Sequence, residues 1–176
     1  QAFGADDRDE LRATLGRPLL LAGLLGALLI AVQTPIGWAA FWLVEASPQV
    51  EAFAREYYAI RIWSAPFALT NYAMLGWLLG TQRARTALVL QVVLNGTNAV
   101  LDLVFVYGLG WTIAGVAAAS LIAEIVAAGL GLTICALLLR REGGRWDWAR
   151  IADRERLVKL FRVNRDIFLR TLSLIF

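Results

Sequence analysis

Histidine is absent from this 176-residue chain, and cysteine occurs once, at Cys135. With no His and a lone Cys inside an apolar run, disulfide frameworks, His-based metal sites and Cys/His catalysis drop out. Charge is scarce as well. Asp, Glu, Lys and Arg make up 18% of the residues against 59% hydrophobic, at a mean hydropathy of +0.62, too apolar for a soluble domain of this size. A basic leader with a cleavage site is also missing: the opening QAFGADDRDELR is acidic and helix-forming, so no signal peptide is expected. The first residue is Gln1, and Phe176 stops inside the apolar run FLRTLSLIF, so the chain reads as a fragment of something longer.

What the chain does have is long apolar runs. A bilayer core of about 30 Å needs about 20 apolar residues as helix. Four runs qualify: Pro18 to Val44, Tyr58 to Gly80, Thr86 to Leu109 and Trp111 to Leu139, with a fifth beginning near Val163. The expected fold class is therefore an all-α integral membrane protein, a polytopic helix bundle. Inside the four runs only Arg61, Asp102 and Glu124 are charged. Pro35 and Pro66 fall within two of them as possible kinks, and Pro48 is placed in a connecting loop at 45–57.

Basic residues set the expected orientation. Arg8, Arg12 and Arg17 precede the first run, and Arg83 and Arg85 separate the second from the third. Arg140, Arg141, Arg145, Arg150, Arg154, Arg156, Lys159, Arg162 and Arg165 follow the fourth. These three segments alternate onto one side, against Arg55 in the opposite loop. The positive-inside rule then puts Gln1 and the basic segment 140–162 in the cytoplasm, with the spans in the plasma (inner) membrane. Trp38, Trp42, Tyr57, Tyr58, Trp63, Tyr107 and Trp111 gather toward the other ends, as an interfacial belt does. The segment 140–162 interleaves its cations with Trp146, Trp148, Ile151, Leu157 and Phe161. Attraction to anionic lipid, or plain topogenic charge, explains it more simply than a nucleic acid partner.

The third run carries an unusual load. At 100° per residue Gln91, Asn95, Asn98 and Asp102 lie within an arc of about 60° on one helix face, with Val89, Val93, Val100 and Val104 on the other side. Amides in a membrane often only join helices, with hydrogen bonds of about 0.6–2 kcal/mol, and Gln91 and Asn95 are read that way first. Asp102 is read the other way. An ionised Asp at mid-helix costs about 2.5–3.5 kcal/mol on insertion scales, so it has to be paired, hydrated, protonated or bound to a cation such as Na⁺. Asn71 in the second run, and Ser120 and Glu124 one turn apart in the fourth, are candidates for the same interior. Glu124 is equally readable as a cavity carboxylate or as a structural acceptor, and Arg61 as a snorkelling boundary residue. The small-residue runs GVAAAS and AAGLG permit close helix approach.

Taken in order, QAFGADD, LRATLGRPLLLA, SAPFALTNYAMLGWLLGTQRAR, LQVVLNGTNAVLDLVFVYGLGW and IAGVAAASLIAE resemble the multidrug and toxic compound extrusion (MATE) family, in particular its DinF-like branch. The resemblance covers nearly the whole chain. It implies part of the N-lobe of a twelve-helix transporter of two six-helix lobes. Residues 1–17 would be the cytoplasmic segment after helix two, 18–139 helices three to six, 140–162 the cytoplasmic inter-lobe linker and 163–176 the start of helix seven. The missing C-lobe of the same chain is then a partner, and small amphipathic or cationic compounds are the substrates, exported against inflow of H⁺ or Na⁺, with no other cofactor. The family's polar site uses an Asn and an Asp one turn apart on helix five, matched by Asn98 and Asp102, and an Asn on helix four, matched by Asn71. The aspartate of its helix one has no counterpart here. The remaining alternatives are a lipid-linked-precursor flippase of the same superfamily, which would favour cationic cavity residues, and a non-transporting membrane assembly subunit. An intramembrane enzyme is disfavoured, since Asp102 and Glu124 are its only reactive candidates and lie on different helices.

Overall fold

The computed structural model describes residues 8–43 and 46–158. QAFGA, Val44 and the expected helix start at 163–176 lie outside the described residues. Helix follows helix: α1 (Arg8–Ala31), α2 (Gln33–Leu43), α3 (Pro48–Arg61), a 3₁₀ turn (Ile62–Ser64), α4 (Ala65–Gly80), α5 (Ala84–Asp102), a π-helix (Leu103–Gly108), α6 (Ile113–Glu142) and α7 (Trp148–Ile151). Three helical stretches are long and apolar enough to cross a membrane: Arg8–Ala31, Ala84–Gly108 and Ile113–Glu142. At 1.5 Å per residue they measure about 36, 38 and 45 Å, against a hydrocarbon core of about 30 Å. The chain is thus an all-helical protein with membrane-spanning segments.

Two expectations are corrected, and the first helix outruns its apolar stretch: it begins ten residues before Pro18, at Arg8, within the segment read as helix-forming, and Pro18 sits inside it. Tertiary contact overrides the proline there, because Leu11, Ala13 and Leu15 are buried on the N-terminal turns and Arg12 and Arg17 are bound by backbone carbonyls. The first run is also not one helix. It breaks at Val32 because Pro35 has no N–H for the Ala31 carbonyl, while Val32 still donates to Leu28 at 2.9 Å and Ile36 to Val32 at 3.1 Å. Finally, most of the expected loop is helix: Pro48 starts α3 at a first-turn position where its missing N–H costs nothing, and Glu51 follows in the first turn. The expected span Tyr58–Gly80 therefore crosses three elements. Pro66 strands the Ile62 carbonyl, which the Ala65 N–H takes instead, and that tightening is the 3₁₀ turn.

Close approach fixes the helix pairs. A Cβ on Gly26 of α1 would lie 2.5 Å from the Pro66 Cα, so the two backbones touch where α1 crosses α4. A buried cluster of Leu11, Leu15, Met74, Trp77, Leu78, Leu90, Cys135 and Leu139 joins α1, α4, α5 and α6 at one end. Trp77 donates its indole N–H to the Leu11 carbonyl at 3.2 Å.

The basic segments meet at that same end. Arg12 donates from Nη2 to the Leu139 carbonyl at 2.7 Å and from Nε to Gly143 at 2.8 Å, capping the C-terminus of α6, and its guanidinium lies 5.5 Å from the Trp146 ring centre. Arg17 donates to the Arg150 carbonyl at 3.0 Å and is held by both carboxylate oxygens of Glu10, which also binds Arg156 at 2.5 Å. Arg83 pairs with Glu142. Gly143 and Gly144, both at φ +81°, make the reversal, and a Cβ on Gly144 would meet the Arg8 carbonyl at 2.9 Å. Part of the basic linker is thus packed onto α1, with Ile151 buried, while Arg140, Arg141, Arg154 and Trp148 remain exposed. Arg12→Ala is expected to destabilise the fold by about 1.5–3 kcal/mol for each charge-assisted bond lost. A lower melting temperature and faster cleavage between 143 and 147 in limited proteolysis would show it.

Candidate functional site

The polar stripe on α5 does not act as one unit. Its first half, Gln91 and Asn95, is exposed, and the two amides reach only each other at a long 3.4 Å. Its second half faces α6. Asn98 donates from Nδ2 to Ser120 Oγ at 3.1 Å, while Asp102, one turn further on, has a buried Oδ1 without a hydrogen-bond partner among the described residues. The valine side is as expected, with Val89, Val100 and Val104 exposed. α5 buries only Ala87 and Leu90, so its Asp102 end is held by α6 and by the turn beyond the π-helix.

Local structure explains why Asp102 stands where it does. It is the last residue of α5, and the π-helix Leu103–Gly108 begins directly after it. The wider turn leaves Leu109 bonded to Val104 at 3.0 Å and Trp111 to Phe105 at 2.9 Å, and Gly110 at φ +69° reverses the chain into α6. That reversal lays α6 against α5, where a Cβ on Gly115 would meet Phe105 Cβ at 3.2 Å.

Asn71 goes elsewhere. It is buried on α4 and spends its amide on α6, donating to Glu124 Oε2 at 2.6 Å and to the Glu124 carbonyl at 3.1 Å. The expected trio of Asn71, Asn98 and Asp102 is therefore not one hydrogen-bonded set. The reason is that Ser120 and Glu124 on α6 stand between α4 and α5 and take one asparagine each. Of the two readings of Glu124, the structure supplies the acceptor contact directly. Arg61 is half-buried at the 3₁₀ turn and donates to Ser64 Oγ at 2.6 Å.

Neither Asp102 nor Glu124 makes an ion pair among the described residues. Glu124 gains one charge-assisted bond of about 1.5–3 kcal/mol, whereas a buried acceptor left unmet, as at Asp102 Oδ1, costs about 1–3 kcal/mol. Among the described residues no three acidic or Cys side chains converge on a metal position. Asp102 with Asn98 offers oxygen donors suited to a proton or a hard monovalent cation. A double-mutant cycle of Asn98→Ala and Ser120→Ala is expected to give a coupling of about 0.6 kcal/mol, read by thermal or chemical unfolding in detergent.

Sequence reasoning missed a second feature. A cavity of about 360 Å³ opens between α2 and α3, lined by Gln33, Trp38, Phe41, Arg55 and Tyr58. Tyr58 donates to the Gln33 carbonyl at 2.7 Å, and Arg55 lies 4.5 Å from the Phe41 ring centre while bound to Glu51. The sequence signal was the aromatic density on either side of Pro48, which reads equally well as a membrane-interface belt.

Residues 1–104 match the MatE family, and since that is more than half of the chain, the chain belongs to it. This is a family of transporters and not of enzymes. Over 174 residues the chain is 41% identical to DNA damage-inducible protein F of Escherichia coli (strain K12), an alignment covering 99% of this chain and 38% of that protein. The chain thus spans well under half the length of this relative. No solved structure matches it.

Proposed function

We propose that this chain forms part of the N-lobe of a twelve-helix, cation-coupled efflux transporter that exports small amphipathic or cationic compounds in exchange for H⁺ or Na⁺. The observation that carries the reading is Asp102: a carboxylate on a helix long enough to span the bilayer, with one buried oxygen left without a partner beside Asn98. Binding of a proton or Na⁺ there removes the cost of the bare charge. It also alters hydrogen bonding toward Asn98 and Ser120 and so favours one packing of α5 against α6 over another. Family membership supports the transport reading. The basic end of the bundle, built from Arg12, Arg17, Arg83 and the segment after Glu142, is assigned to the cytoplasm by charge, and the protein to the plasma membrane.

Against the flippase reading, the polar line across α4, α5 and α6 holds Asn, Ser, Asp and Glu and no cation. A site for a lipid pyrophosphate calls for Arg or Lys. The test is efflux of a fluorescent lipophilic cation from proteoliposomes containing the full-length protein, beside an assay of lipid-pyrophosphate translocation on the same vesicles. Efflux without translocation is expected, and the reverse would replace this reading with the flippase.

A further inference from the structure

Two carboxylates at different depths lie along one line of polar residues, hydrogen-bonded at its Asn98–Ser120 and Asn71–Glu124 steps. Asp102 and Asn98 are one turn apart on α5; Asn98 bonds to Ser120 on α6 at 3.1 Å; Ser120 and Glu124 are one turn apart on α6; and Glu124 takes Asn71 of α4 at 2.6 Å. The two helices run antiparallel, so the two turns add. Glu124 lies about 12 Å along the bundle axis from Asp102, farther from the α5–α6 turn.

Unlike Asp102 Oδ1, Glu124 has a hydrogen-bond donor in Asn71, but among the described residues no cation pairs with it. α4 carries no charged residue, and the other charges on elements packed against α6 are spoken for or remote. On α3, Arg55 is bound to Glu51, Arg61 donates to Ser64, and Glu56 is exposed. On α5, besides Asp102, Arg85 is exposed at the opposite end of the helix. Among the described residues the Asn71 amide is the one side chain that answers the Glu124 charge, and an amide carries no compensating charge.

We propose that Glu124 is a second cation-binding carboxylate of the site, coupled to Asp102 through the Asn98–Ser120 hydrogen bond, so that each cycle takes up two monovalent cations. This deepens the reading of Asp102 as the coupling residue and rests on it. Asn71 is a positioning residue: its bond to the ionised carboxylate is shorter and stronger than to the neutral one, so the α4–α6 contact responds to the charge of Glu124.

The experiment uses the full-length protein in proteoliposomes, with the proton concentration varied in the absence of Na⁺ and, separately, Na⁺ varied at fixed pH. Wild-type efflux is expected to rise sigmoidally with the coupling cation, with a Hill coefficient approaching about 2, and Glu124→Gln, which keeps the acceptor for Asn71, to lower it to about 1. Glu124→Asp is expected to restore cooperativity at a shifted cation concentration. The second readout needs no transport: infrared difference spectra of the purified protein on cation addition, in which Glu124→Gln removes one responding carboxyl band and Asp102→Asn another. An unchanged Hill coefficient in Glu124→Gln, or a spectrum identical to wild type, overturns the proposal. Absence of efflux under either gradient overturns the transport reading alone, and the infrared bands then decide the second carboxylate by themselves.

Discussion

Gly26→Leu is expected to abolish accumulation of folded protein. The position is where α1 and α4 touch backbone to backbone, with Pro66 Cα 2.5 Å and Pro66 N 2.9 Å from where the new Cβ would stand. Neither atom can rotate away, because Pro66 is locked at the start of α4 just after the 3₁₀ turn that its own missing N–H produces. The helices have to separate, and α1 then loses its seat for Leu11 and Leu15 against Trp77 and Leu78. Overpacking of this kind costs about 1–3 kcal/mol when the neighbours can yield and more when they are backbone, against a total stability of about 5–15 kcal/mol. Gly23→Leu is the matched control, since among the described residues nothing lies within 4 Å of its Cβ position. Fluorescence-detected size-exclusion chromatography of both variants in the full-length protein should show a monodisperse peak for Gly23→Leu and its loss for Gly26→Leu. Equal peaks would mean that α1 and α4 do not pack as described.

The second large effect is expected at Asp102. Asp102→Asn keeps the size and polarity of the side chain, so the Asn98–Ser120 contact and the π-helix that follows have no reason to change. On the proposed reading, what is removed is the ability to exchange a charge at this position for a bound proton or cation. Coupling free energies between linked sites run at about 1–3 kcal/mol, or about 5- to 150-fold, and gradient-driven efflux should fall within that range while substrate binding in the absence of a gradient persists. A variant lost through misfolding would lose both, so binding to detergent-purified protein separates the two cases.

Much of this was legible in the sequence because period and composition carry it. The 3.6-residue spacing put Asn98 and Asp102 on one face of α5, and the scarcity of charge marked the runs that became α5 and α6. Other features were not legible because they depend on the angle between helices. Nothing in one sequence says that Asn71 turns to Glu124 and not to Asp102; that follows from α6 lying between α4 and α5. The apolar run opens at Pro18, yet α1 continues through that residue, since buried partners for Arg12 and Arg17 and the seat of Leu15 outweigh one lost backbone bond. Pro66 was read as a kink inside a span, and the structure gives that kink its form, a 3₁₀ turn at Ile62–Ser64. The linker reads from sequence as attracted to anionic lipid or as plain topogenic charge; the structure adds that Trp146 lies over Arg12 and Ile151 is buried against α1, while Trp148 stays exposed.

The central claim is that Asp102 is where a driving cation binds. Efflux from proteoliposomes containing the full-length protein, wild type and Asp102→Asn at equal insertion, under separately imposed proton and sodium gradients, tests it most directly. The account predicts wild-type efflux under one of the two gradients and a loss of at least about fivefold in the variant under that same gradient. Equal efflux by both proteins would contradict it and make Asp102 a structural residue.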